Sequence, residues 1–101
     1  FQPHLFSRTN DFASDFAAAL DLLDDALVLE IYPARELPIP GVDSGIILNQ
    51  MTIASKVRCQ KEEIPAILGQ YNPEILLTLG AGDIDRLAEP IITFLKEREN
   101  D

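Results

Sequence analysis

His4, Ser7 and Arg8 lie close together in the opening stretch Phe1-Gln2-Pro3-His4-Leu5-Phe6-Ser7-Arg8-Thr9. An imidazole exchanges protons near neutral pH, and a guanidinium offers a planar fork of donors that matches a carboxylate. His4 is the only histidine, and Arg8 is one of 8 basic residues. Arg35, Lys61 and the run Gly80-Ala81-Gly82-Asp83 are the other groups of interest. Each has a plain alternative. His4 beside Pro3 either faces a ligand or hydrogen-bonds a neighbouring carbonyl. Arg8 either binds an anion or pairs with Asp11 or Asp15 on the helix surface, where such a pair contributes little. Arg35 either serves a ligand or forms a solvated pair with Glu36. Gly80-Ala81-Gly82 resembles a turn whose backbone cradles a phosphate at a helix start. It lacks the full dinucleotide fingerprint, no P-loop lysine follows, and Asp83 opposes an anion and reads more simply as an N-cap.

Other chemistries find no support. Ser7 has no recognisable carboxylate to orient His4 as its base. One histidine, one cysteine and scattered acids give no metal-ligand spacing. Cys59 falls inside the short strand expected over 57–60 and reads as a small buried hydrophobe. The pattern does not describe a self-contained catalyst.

These groups need elements to position them. Phe1-Gln2-Pro3 reads as the end of a strand, which predicts a fragment of a larger protein. His4, Ser7 and Arg8 then precede a helix over 10–24, with Phe12, Phe16, Leu20 and Leu23 as its apolar stripe. Thr9 or Asn10 is its expected N-cap. Residues 26–32 form a nearly continuous apolar run, the texture of a strand covered on both faces. A stiff loop follows, Pro33 to Gly41, with Pro33, Pro38 and Pro40 fixing its backbone. Asp43 or Ser44 caps a short helix through Ile46, Ile47 and Met51. A short strand over 57–60, a helix over 61–70, and a last buried strand over 75–79 complete the alternation. The final helix starts near Asp83 and carries Ile84, Leu87, Ala88, Ile91 and Leu95 on one stripe. Pro90 predicts a kink or a fresh start there, and the charged tail from Lys96 to Asp101 is expected to fray.

Strands alternating with helices predict an α/β fold: one domain over 1–101, a mostly parallel sheet, and helices on both faces. Such a sheet gathers its strand-to-helix turns on one edge, where ligands bind. That edge would join His4 to Arg8, Pro33 to Glu36, Gln60-Lys61 and Gly80 to Asp83. Its clustered positive charge suits an anionic ligand.

The chain has 17 acidic residues against 8 basic ones, a net charge of −9. Such a surface disfavours nucleic acid and anionic membrane surfaces as partners. The lone cysteine suits a reducing compartment, so the expected location is the cytoplasm.

Several runs carry a family resemblance: Phe1 to Thr9 with Asp11-Phe12-Ala13, Asp24 to Glu36, Pro38 to Val42, and Thr78 to Ile84. Together they resemble the C-terminal domain of the Mur ligase family, in its alanine-adding branch. Residues 49–72 match only in pattern. The resemblance implies a Rossmann-like domain of a three-domain, cytoplasmic enzyme of peptidoglycan synthesis. It implies ATP and magnesium as cofactors, held mainly by a central domain, with L-alanine and UDP-N-acetylmuramate as substrates. ATP phosphorylates the sugar's carboxylate, the amine attacks the acyl phosphate, and phosphate leaves. The C-terminal domain closes over the ATP site, holds the incoming amino acid, and is inactive alone.

Carried to this chain, the resemblance sets Arg8 on the alanine carboxylate and His4 beside it. Ser7, Arg35, Gly80, Ala81 and Gly82 lie on loops facing the substrate. Many family members have arginine directly after the histidine; this chain has Leu5. Either Arg8 alone suffices, Arg35 compensates, or the amino-acid site differs in detail. A flavodoxin-like binding or regulatory module, or a related ligase adding another amino acid or a peptide, is the alternative. A receiver-like module would need an acidic cluster where His4, Arg8 and Arg35 stand.

Overall fold

A computed structural model describes residues 1–99, in which α-helices and strands alternate as far as the third helix and a fourth helix follows without an intervening strand. The helices are α1 (Phe6–Leu20), α2 (Gly45–Leu48), α3 (Ile64–Leu68) and α4 (Ala88–Glu99). The strands are β1 (Ala26–Leu29) and β2 (Lys56–Cys59), and two 3-10 turns, Lys61–Glu63 and Asp83–Leu87, lead into α3 and α4. β1 and β2 pair in parallel, with Ala26 opposite Lys56 and Leu29 opposite Cys59.

Side-chain alternation along β1 explains how the helices are arranged. Ala26 and Val28 join a core with Ala13, Ala17 and Leu20 of α1 and with Ile47 and Met51. Leu29, packed with Leu27, joins a second core with Cys59, Ile64, Leu68, Ile84 and Ile91. The sheet therefore lies between two helical layers, as the alternation predicts.

Two further segments add backbone bonds to this sheet without becoming regular strands. Phe1 to Leu5 runs beside β1: the Leu29 amide donates to the Phe1 carbonyl (2.8 Å), the Tyr32 amide to Pro3 (2.8 Å), and the Leu5 amide to Tyr32 (2.9 Å). On its other side the Gln2 amide donates to the Leu79 carbonyl at 2.9 Å. The bridges Gln2–Gly80 and His4–Tyr32 are both parallel.

The expected buried strand over 75–79 does not form. Ile75 is 81% exposed, Leu77 59% and Leu79 43%. Among the described residues, the pairing on this side is confined to the Gln2–Gly80 bridge and the Gln2 amide on the Leu79 carbonyl. The β1 pairing likewise stops at Leu29, and residues up to Tyr32 continue only as a bridge.

Helix boundaries shift as well. α1 begins at Phe6 and ends at Leu20, about a turn earlier than the expected 10–24. Its N-cap is Leu5, which has no capping side chain, not Thr9 or Asn10. Thr9 lies inside the helix, fully buried, and its hydroxyl donates to the Leu5 carbonyl at 2.7 Å. The buried stripe is Thr9, Ala13, Ala17 and Leu20, and Phe12 is half exposed. The helix kinks at Phe12, whose φ of −115° and ψ of 17° are not helical, and the small residues Ala13 and Ala17 take the buried face. At α2 the N-cap position is Ser44, without a side-chain cap bond, and the preceding Asp43 carboxylate accepts from the Gly45 amide at 2.8 Å. α4 starts afresh at Ala88, placing Pro90 in its first turn, where the missing amide costs no helical bond. Lys96 to Glu99 are helical rather than frayed, and Asn100 and Asp101 lie outside the described residues. Among the described residues, no helix is long and apolar enough to cross a membrane.

Candidate functional site

The first turn of interest is built on backbone bonds. Pro3 has no amide to give, yet its carbonyl and the Leu5 amide are both paired with Tyr32. The chain then bends sharply at Leu5, whose φ of 69° is a left-handed value that a branched side chain adopts only under strain. α1 starts immediately after, so Ser7 and Arg8 lie in its first turn rather than ahead of it. His4 stacks on Tyr32, with ring centroids 5.8 Å apart and planes 14° from parallel. Its Nδ1 is buried and has no hydrogen-bond partner among the described residues, so the neighbouring-carbonyl alternative is not realised at that atom. Arg8 is exposed.

The second turn joins the first through Glu36. The Ser7 amide donates to Glu36 Oε1 at 3.0 Å, and the Ser7 hydroxyl donates to Oε2. These bonds, the hydroxyl's first, hold the Glu36 carboxyl below the usual glutamate range. The alternative of a solvated Arg35–Glu36 pair is not realised, because Glu36 caps a helix start 29 residues away. A turn closed by the Glu36 amide on the Pro33 carbonyl (2.9 Å) carries Arg35. Ala34 in it has a positive φ of 52°. Arg35 is exposed. Among the described residues, no ion pair engages Arg8 or Arg35, so Arg8 is not paired with Asp11 or Asp15.

The third and fourth turns meet at Asp83, which is also held by Gln2, a residue only 4% exposed. The Gln2 amide nitrogen donates to Asp83 Oδ1 at 2.7 Å, and its amide oxygen accepts from the Ile84 amide at 3.0 Å. Asp83 also pairs with Lys61. Lys61 first, and then Gln2, hold the Asp83 carboxyl below its ordinary range, and Asp83 in turn raises Lys61. Asp83 is therefore not an N-cap. Gly82 holds that position without a side-chain cap.

Glycine is required at this turn by close approach. A Cβ on Gly82 would lie 2.5 Å from Gln2 Oε1 and 2.7 Å from Tyr32 Cγ. Gly80 has φ of 156°, and a Cβ there would lie 2.8 Å from the Gln2 carbonyl. Ala81, between them, is exposed.

All four expected turns thus converge. His4 and Ser7 meet Tyr32 and Glu36; Gly82 meets Tyr32; Asp83 meets Lys61. The residues that join them, Gln2, Tyr32 and Glu36, were not singled out by the sequence reading. Gln2 carried a signal, because an amide in an apolar strand end needs buried partners. Cys59 is 3% exposed and free, with its thiol pushed up by burial.

No family model matches the chain. It is similar over nearly its whole length to curated proteins named UDP-N-acetylmuramate–L-alanine ligase. The protein of Parabacteroides distasonis is 57% identical over 95 residues, covering 94% of this chain and 21% of that protein. Those of Cytophaga hutchinsonii and Porphyromonas gingivalis are 48% identical over 98 residues and 50% over 97, each with 21% of the relative covered. The chain spans about a fifth of the length of these relatives.

Proposed function

The chain being a homologue of one segment of the UDP-N-acetylmuramate–L-alanine ligases, we propose that it is their C-terminal, amino-acid-holding domain. The observation that carries this reading is 57% identity across 94% of the chain. On it, the whole protein joins L-alanine to UDP-N-acetylmuramate at the expense of ATP, in the cytoplasm, during peptidoglycan synthesis. The domain alone is inactive.

Arg8 receives the carboxylate of the incoming alanine. Its exposure and its freedom from ion pairs among the described residues support that role. A two-pronged guanidinium–carboxylate pair leaves the amine at the other end of the amino acid free to attack. His4, stacked on Tyr32, stands at the same turn. Holding the amine against its target is catalysis by positioning, and closure of the domain excludes the water that would compete.

ATP and magnesium are assigned to the rest of the ligase. The Gly80–Asp83 turn does not fit a phosphate: Gln2 and Tyr32 crowd Gly82, and Asp83 carries its charge at the helix start. That turn instead walls the substrate side, with Ser7 and Arg35 on the adjoining loops. A Rossmann-like sheet is supported by the order of its extended segments. Residues 56–59, 26–32, 1–5 and 79–80 lie side by side in parallel, the order of a doubly wound sheet.

The test is phosphate release by the full-length ligase, with ATP and UDP-N-acetylmuramate saturating and L-alanine varied. Arg8→Ala is expected to raise the half-saturating alanine concentration by roughly 10-fold or more, the loss of a charged hydrogen-bonded contact. UDP-N-acetylmuramate dependence should be unchanged. An unaltered alanine curve refutes the assignment.

A further inference from the structure

We propose that Glu36 is a positioning residue for this reaction: capping Ser7 from a distant loop, its carboxylate fixes the angle at which Arg8 and His4 are presented. The inference rests on the reading that this turn holds the amino acid.

α1 lacks a local cap. Leu5 at its N-cap has no acceptor to offer the free amides of the first turn. Glu36 fills that place with both oxygens, one on the Ser7 amide at 3.0 Å and one on the Ser7 hydroxyl. Ser7 is the residue immediately before Arg8, so the orientation of Ser7 sets the direction in which Arg8 leaves the helix. On the other side of the strained Leu5 (φ 69°) stands His4, tied to Tyr32 by its ring stack and by the Leu5 amide bond. The loop that brings Glu36 is itself held in an unfavourable shape, with φ of 52° at Ala34. Two strained residues thus flank one doubly hydrogen-bonded bridge. Strain of this kind persists only where the surroundings over-determine it, and the Ser7–Glu36 bridge is what links the two.

The bridge also directs where a substrate anion goes. The amide end of α1 would attract a carboxylate, but Glu36 already occupies it. An incoming carboxylate therefore meets the guanidinium of Arg8 and not the helix amides. That gives one binding geometry instead of two.

The experiment uses the full-length ligase with Glu36→Ala, Glu36→Gln, Ser7→Ala, the pair Ser7→Ala/Glu36→Ala, and Arg8→Ala. For each, half-saturating L-alanine, UDP-N-acetylmuramate and ATP concentrations are measured beside kcat and the melting temperature. Glu36→Ala should raise the alanine value about 10-fold and leave the other two within about 2-fold, a direction-specific loss of one charged contact. Glu36→Gln should fall between, because its amide oxygen still accepts one Ser7 donor. The double variant should be no worse than Glu36→Ala. If Glu36→Ala does not fold, Glu36→Gln and Ser7→Ala give the same readout. Equal changes in all three concentrations, or a melting change with none, overturn the inference and make Glu36 a structural cap. A normal alanine curve for Glu36→Ala beside a weakened one for Arg8→Ala overturns the inference and keeps the site. Normal curves for both overturn the site as well.

Discussion

Gly82→Ala is the most direct test of whether the four turns close on one another. The new methyl would stand 2.5 Å from Gln2 Oε1, 2.7 Å from Tyr32 Cγ and 2.8 Å from Tyr32 Cβ, against ordinary contact that begins at 3.4 Å. Something must move by several tenths of an ångström. Tyr32 is poorly placed to yield, because its amide and carbonyl are both bonded to the Pro3–Leu5 segment and its ring is stacked on His4. Gln2 can yield only by giving up Asp83 or the Ile84 amide. Overpacking of this kind costs about 1–3 kcal/mol, and a buried donor or acceptor left unpaired adds about 1–3 kcal/mol. The expected loss is therefore about 2–6 kcal/mol. Gly41→Ala is the control: its φ is 79° but nothing lies within 4 Å. Its cost is backbone strain alone, about 1–2 kcal/mol, reduced by about 0.4–1 kcal/mol through the stiffer unfolded chain. Urea denaturation of the two variants and the parent, with unchanged slopes, gives the comparison. Equal losses for Gly82→Ala and Gly41→Ala would mean that the turn does not pack on Gln2 and Tyr32.

Two other predictions concern the scaffold. Ile47 is fully buried between α1 and the sheet, so Ile47→Ala should cost about 2–5 kcal/mol in the same denaturation assay. Leu22, 87% exposed, should change stability by no more than about 0.5 kcal/mol as Leu22→Ala. The Lys61–Asp83 pair predicts a pH profile with two limbs. Asp83 titrates below its ordinary range when folded, so its contribution is fully present above that range and is lost as pH falls through the folded value. Lys61 titrates above its ordinary value, so its contribution is complete below that value and fades as pH rises through the folded one. Asp83→Asn should flatten both limbs in melting curves taken across pH.

Periodicity carried the alternation of helices and strands and the gathering of their turns on one edge. It carried less at the places where a distant contact decides a local shape. α1 begins a turn early because its cap comes from Glu36 across the fold, and no reading of Thr9 or Asn10 as caps could foresee that. Phe12 looked like a core residue by spacing, but the helix kinks there, and Ala13 and Ala17 take the buried face. Residues 75–79 have strand composition, yet the pairing on that side is confined to Leu79 and Gly80 against Gln2, and composition alone does not show how far a ladder runs. At the site, His4, Ser7 and the glycines were visible by residue type. Gln2, Tyr32 and Glu36 were not, because an amide, a phenol and a carboxylate declare themselves only through the partners that three other segments bring.

The use of acids at this edge bears on how an acidic protein can hold an anion. The net charge of −9 opposes an approaching carboxylate, so what engages the acids at this edge decides which donors remain for it. Both carboxylates that face inward at the turns are satisfied by the chain itself. Glu36 takes the two Ser7 donors, and Asp83 takes Gln2 and Lys61. Lys61 is thereby spent on Asp83, and the amide end of α1 is spent on Glu36. What is left exposed at the same turns is Arg8 and Arg35, outside any ion pair among the described residues. The edge therefore presents guanidinium rather than ammonium or helix amides. A guanidinium binds a carboxylate through two parallel bonds of fixed direction, whereas an ammonium acts as a point charge. On the proposed reading that difference is what the reaction needs, since the amine must be aimed as well as held.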